Sequence, residues 1–254
     1  MRVRGNRAGW VCVLILAVVV GCGQRSPQLP TGSAVAVAPA DLLLDPARLP
    51  TGFTPTPLTV AGLVAADGVA LTAAARNPIT PARCRPTADA ALNRVLTDAN
   101  TAVLAAQSGR GTVIVLTTTA TRDIAADLAT TTGGCARTET TITAGTLAGA
   151  HVVTGYVTLP TPASPAAVVA GHLVRSTTTT VLADGGVAHR IGYAGYAAVV
   201  RPGGRTVGVQ VTAAGEITPA LPAPGIAATA PLSDAEFSAL FGDALAAAAG
   251  DRQR

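Results

Sequence analysis

Three histidines, His151, His172 and His189, are the side chains best suited to moving protons near neutral pH. A serine hydrolase would need one of them beside a nucleophile, and no Gly-x-Ser-x-Gly turn occurs in the chain. All three fall in strand-like stretches, where solvent-facing or satisfied positions are the ordinary outcome. His172 and His189 lie on either side of the Asp184 turn and could face each other across a hairpin. A pair without a third ligand falls short of a metal site. Asp123 and Asp127 stand one helical turn apart and read as exposed helical acids rather than a catalytic pair. No catalytic residue, metal ligand or cofactor-binding residue is therefore assigned. The runs Thr117 to Thr119, Thr130 to Thr132 and Thr177 to Thr180 fit exposed strand positions, where Thr is favoured.

The cysteines carry the stronger signal. Arg2, Arg4 and Arg7 precede an apolar stretch from Ala8 to Val20, which is closed by Gly21-Cys22. A basic flank, a short apolar run and a small residue at a cut site make a secretory leader. The run falls short of the roughly 20 residues that a spanning helix requires. Val19-Val20-Gly21-Cys22 resembles a bacterial lipobox, which implies acylation of Cys22 and tethering to the outer face of the membrane. The alternative, cleavage after Ala36 or Ala38, would discard Cys22. Cys12 leaves with the leader in either case, so Cys84 and Cys135 remain. Two cysteines in an oxidising compartment are expected to form a disulfide. They lack the Cys-x-x-Cys spacing of a redox pair.

Charge and composition exclude other classes. All 18 basic residues are Arg, and loss of the leader takes the net charge from +4 to +1. No basic cluster remains, so no nucleic-acid partner is expected. At 49% hydrophobic and 13% charged the chain can build a core. The Ala-, Thr-, Val- and Arg-rich usage is that of a high-GC genome. The expected organisation is a leader over 1–21, a lipidated tether over 22–40 and one extracytoplasmic domain over 41–250. Fully extended, the tether reaches roughly 50–60 Å.

Positioning elements follow from periodicity. Leu58 to Ala75 reads as helix-like pieces, with Asp67-Gly68 as a possible turn. Pro86-Thr87 opens a helix carried by Leu92, Leu96, Ala99 and Val103 to Ser108-Gly109. Val113 to Leu116 reads as a buried strand. Thr121 begins a short helix. Cys135 opens a strand, and Gly149 to Leu159 is another. His172 to Leu182, Val187 to Val200 and Arg205 to Thr212 form a late three-stranded meander, turned by Asp184-Gly185-Gly186 and Pro202-Gly203-Gly204. Ser233 and Glu236 frame a capping box for a final helix. These elements give an α+β fold, an antiparallel sheet with helices packed on one face.

Leu42-Leu43-Leu44, Leu49-Pro50-Thr51-Gly52-Phe53, Pro81-Ala82-Arg83-Cys84, Cys135 and the closing helix, taken in this order, resemble the exported sensor-type domains of mycobacterial serine/threonine kinases and related actinobacterial lipoproteins. The resemblance spans Asp41 to Gly250. It departs in having one cysteine pair where the kinase-attached version has two, and it supplies no catalytic residues. It implies a surface module that senses or binds an envelope partner. A lipid or glycolipid carrier with an apolar cavity is the alternative, and an enzyme ranks third. A core of small residues, rather than a cavity, is the expectation here.

Overall fold

The structure is a computed structural model that describes residues 37–163, 167–220 and 228–250. The expected leader, Cys22 and most of the expected tether lie outside the described residues. Every element, both core clusters and the disulfide belong to one compact unit that begins at Val37.

Two 3-10 turns, Pro39–Leu42 and Pro46–Arg48, lead into strand β1 (Thr54–Thr56) and helix α1 (Val60–Arg76). Strand β2 (Ile79–Thr80), a 3-10 turn at Ala82–Cys84 and the short helix α2 (Ala88–Asn93) come next. Strands β3 (Thr101–Ser108) and β4 (Gly111–Thr118) form a hairpin. Helix α3 (Ile124–Thr131) and a 3-10 turn at Gly133–Cys135 precede β5 (Arg137–Thr141). Four strands then meander: β6 (His151–Leu159), β7 (Ala167–Val181), β8 (Val187–Val200) and β9 (Thr206–Gly215). Strand β10 (Thr218–Ala220) and helix α4 (Asp234–Ala249) complete the fold.

The sheet runs β1-β3-β4-β9-β8-β7-β6-β5-β2, with β10 beside β8. All its pairings are antiparallel. Its two end strands, β1 and β2, are separated in sequence only by α1. That helix therefore crosses one face of the sheet from edge to edge, spanning about 25 Å at 1.5 Å per residue.

The α+β class and the antiparallel sheet are as the sequence predicts, but the helices divide between both faces. Val113, Val115, Tyr193, Val209 and Val211 point to one side, against Phe237, Leu240, Phe241 and Leu245 of α4. Gly195 permits this approach, because a Cβ there would sit 2.7 Å from the Phe241 ring. Leu116 points to the other side and packs with Val60, Leu63, Leu92 and Leu96. The unbroken apolar run from Val113 to Leu116 reflects a strand covered on both faces.

The helix expected from Thr87 to Ser108 ends at Asn93. Thr101–Ser108 is a strand, paired residue for residue with β4. Val103 packs near one core while Leu104 and Ala106 are buried in the other, so burial on both faces mimicked a helical period. Asp67-Gly68 is no turn; α1 runs through it, capped by Thr59, whose Oγ1 accepts from Gly62 N at 3.0 Å. Asp123, not Thr121, caps α3. The capping box at Ser233 and Glu236 is formed, and Gly250 ends α4 at φ 83°.

The disulfide between Cys84 and Cys135 is present, with the Cα atoms 5.4 Å apart. It joins two 3-10 turns rather than a long helix and a strand. The turn before α2 is thereby tied to the turn after α3.

Candidate functional site

Helix α1 is apolar along most of its length, yet only Val60 and Leu63 are buried. Beyond them it stands off the sheet. A cavity of about 920 Å³ opens beneath it. Leu63, Asp67, Ala70, Leu71 and Ala74 line it from α1, at the three- and four-residue spacing of one helical stripe. Alternate strand residues form the floor: Ile114 and Leu116 of β4, Gln210 and Thr212 of β9, and Tyr196 of β8. Val152, Thr154 and Tyr156 of β6, with Thr138 and Thr140 of β5, extend it toward the far edge.

Tyr156, at one side of this space, is followed across the sheet by Ser176, Gly192 and Ala214 in register, which lie outside its lining. The alanines of α1 above leave the gap unfilled. The α4 side is instead filled by large side chains, Phe237, Phe241, Leu173 and Leu245, so the sequence-based expectation of a small-residue core describes neither side. The central strands are covered on both faces, with α4 on one side and α1 to α3 on the other.

Polar groups, not packing, fix the far end of α1. Arg85 Nη1 donates to Ala74 O and Nη2 to Asn77 O, each at 3.1 Å. Asn77 Oδ1 accepts from Thr143 N and Thr143 Oγ1, both at 3.0 Å.

A buried arginine organises the other end. The Arg122 side chain is 5% exposed. Its Nε and Nη2 donate to Asp127 Oδ2 and Oδ1 at 2.7 and 2.8 Å. Nη2 also reaches Asp89 Oδ1 at 2.8 Å, and Nη1 donates to Gln210 Oε1 at 3.0 Å. The Tyr196 ring lies 3.7 Å from the guanidinium carbon, a cation–π stack. Burial opposes the Arg122 charge, but the Asp127 bond and nearby Tyr196 and Asp89 outweigh it and push its pKa up. Burial pushes the Asp67 carboxyl up, and the Asp89 charge adds to this. Burial, then Asp89, pushes the Tyr196 hydroxyl up.

The histidines are dispersed. His172 is buried opposite Tyr196, while His189 stands opposite Thr179, so the two do not face each other across the hairpin. His172 Nε2 lies 2.8 Å from Thr131 Oγ1, which itself donates to Asp127 O at 2.8 Å. Thr131 has one proton to give, so the Nε2 proton of His172 is assigned to the Thr131 contact. Burial pushes the His172 pKa down, partly opposed by Asp127. His189 Nδ1 meets Thr179 Oγ1 at 3.0 Å, and His151 lies 3.5 Å from Glu139. Asp123 caps a helix while Asp127 is buried against Arg122, so they are not the exposed acid pair the spacing suggested. Tyr193 and Tyr196 occupy opposite faces, as strand alternation requires. Tyr193 stacks on Phe237 and donates to Asp234 at 2.9 Å. Its pKa is pushed up to about 12 by burial and Asp234. Thr178 meets the Thr154 hydroxyl at 3.2 Å on the α1 side.

Sequence reading did not find the grouping of Arg122, Asp89, Tyr196 and Gln210. These residues come from a loop, α2, β8 and β9, and nothing local marks them. Asp67 carried the only signal, as a lone acid in an apolar stretch. Among the described residues no group of three His, Cys, Asp or Glu side chains is placed to hold a metal ion. Among them, too, no helix is long and apolar enough to cross a membrane.

No protein-family model matches the chain. No curated protein matches it. Among solved structures, it is similar to an uncharacterized protein from Mycobacterium smegmatis, the Rv0999 ortholog. The two are 16% identical, the match covers 81% of this chain and 97% of that chain, and the TM-score is 0.40.

Proposed function

We propose that this protein is a cell-envelope lipoprotein, held on the outer face of the membrane by acylated Cys22, whose domain binds an amphiphilic ligand without transforming it. The observation that carries this reading is the cavity between α1 and the sheet. Its size lies within the roughly 300–1,000 Å³ of small-molecule sites. Apolar side chains of α1, β4 and β6 line much of it. Enclosing an alkyl chain is worth about 0.8 kcal/mol per methylene. Ten enclosed methylenes would supply about 8 kcal/mol before ordering costs, the micromolar range. This favours a lipid-type ligand over the protein partner that the sensor-domain resemblance implies. The lipobox-like segment supports the anchor.

The test is native mass spectrometry of the chain from Val37 onward, purified from a bacterial envelope, together with uptake of the uncharged probe N-phenyl-1-naphthylamine. The expected result is a bound lipid mass and probe fluorescence, both lost in Ala70→Trp and Ala74→Trp, which fill the cavity. A wild-type domain that carries no lipid and takes up no probe overturns the reading. For the anchor, Cys22→Ala is expected to move the full chain out of the membrane fraction.

A further inference from the structure

The two ends of the cavity differ in chemistry. Near Ile79, Ala74 and Val152 apolar side chains stand among Thr140, Thr154, Asn77 and Arg85, and the last two are taken up in tying the end of α1. Near Arg122 it offers hydrogen-bonding groups whose partners are only partly supplied by the protein. Gln210 Oε1 is taken by Arg122, which leaves the Nε2 amide donors turned from that bond. Asp89 gives only Oδ1 to Arg122. Among the described residues the Tyr196 hydroxyl and the Asp67 carboxyl make no hydrogen bond.

We propose that this end, formed by Asp67, Asp89, Tyr196 and Gln210, seats an uncharged, hydroxyl-rich headgroup, making the ligand a neutral polyol-headed amphiphile. This rests on the cavity binding an amphiphile at all. A hydroxyl both donates and accepts, so a polyol satisfies the carboxylate oxygens and the Gln210 amide together. Charge argues against an acidic head. Arg122 is the cation at this end, and Asp127 and Asp89 already hold it, while Asp67 adds a further carboxylate. A fatty-acid carboxylate or a phosphate would meet like charge in a desolvated place. Arg85 and Arg94 also line the cavity, but Arg85 is spent on the carbonyls at the far end of α1, and Arg94 is exposed. A quaternary ammonium would suit the carboxylates yet leave the Gln210 and Tyr196 donors unmet, and a buried donor without an acceptor is costly.

The experiment compares three amphiphiles with one tail. Dodecyl maltoside, dodecanoate and dodecyltrimethylammonium, each below its micellar concentration, are titrated against N-phenyl-1-naphthylamine bound to the chain from Val37 onward. The maltoside is expected to displace the probe at least about tenfold more tightly than either charged compound, the scale of one or two well-made hydrogen bonds in a desolvated site. Asp67→Ala, on the half-exposed surface of α1, and Gln210→Leu should each erase most of that preference without weakening dodecanoate. Equal or tighter binding of dodecanoate or the ammonium compound overturns the headgroup assignment while the cavity reading stands. A maltoside preference unchanged in both variants overturns it as well, because the head then sits elsewhere. Failure of all three compounds to displace the probe overturns the amphiphile-binding reading itself.

Discussion

Arg122 joins helix, sheet and cavity through a single guanidinium, and its removal would leave Asp127 charged and buried. Arg122→Met is therefore expected to destabilise the domain by about 3–5 kcal/mol, read from urea unfolding. Arg122→Met combined with Asp127→Leu should recover much of that loss, because the apolar pair removes both charges. His172 and Asp67 give pH dependences of definite sign. Burial lowers the folded-state pKa of His172, so its contribution is fully present above the unfolded value of about 6.5. It is lost as pH falls from there through the folded value. His172→Gln should flatten the melting temperature against pH in that window. The folded-state pKa of Asp67 is raised instead, so stability falls as pH rises from about 3.8 through the folded value. Asp67→Asn should accordingly melt higher than wild type at pH 7, in a scanning fluorimetry comparison.

At the scale of elements, α1 and α4 behave oppositely although both are Ala-rich helices. Helix α4 buries Phe237, Leu240, Phe241, Ala244, Leu245 and Ala248. Helix α1 buries two residues, and its Val69 is 74% exposed. Its first turns are set in the second core, and its last turn is tied by Arg85, Asn77 and Thr143. Arg85→Ala should speed amide exchange in the C-terminal half of α1, measured by deuterium uptake, with little change in α4. Such a helix can yield to admit a ligand, since segments with few buried contacts open at low cost. Gly195→Ala probes the other side. It forces a methyl against Phe241 and should cost about 1–3 kcal/mol as an overpacking change. The final helix was legible because Ser233, Glu236 and Gly250 mark both its ends. The helix expected after Thr87 was misread past Asn93, because Leu96, Ala99 and Val103 keep an apparent helical period through a turn and a strand.

At the scale of the whole molecule, the disulfide closes a separation of 51 residues across the cavity-bearing face. Its reduction should cost up to about 4 kcal/mol in the chain-entropy model, seen as a lower melting temperature in dithiothreitol. The sequence by itself determined the cysteine pair, the late meander with its glycine turns, the closing helix and the α+β class. Those rest on local rules: the two cysteines beyond Cys22 have only each other to pair with, certain residues accept a left-handed backbone, and the apolar residues keep a period of two or 3.6. Only the tertiary structure decided that helices cover both faces, that β1 and β2 end opposite edges, and that α1 bridges them above an unfilled floor. The cavity is a difference between volumes contributed by distant residues, with Ala70 and Ala74 above and Ile114, Gln210 and Thr212 below. The group around Arg122 is likewise assembled from α2, β8, β9 and the loop before α3. Long-range strand pairing brings such residues together, and no local spacing along the chain records it.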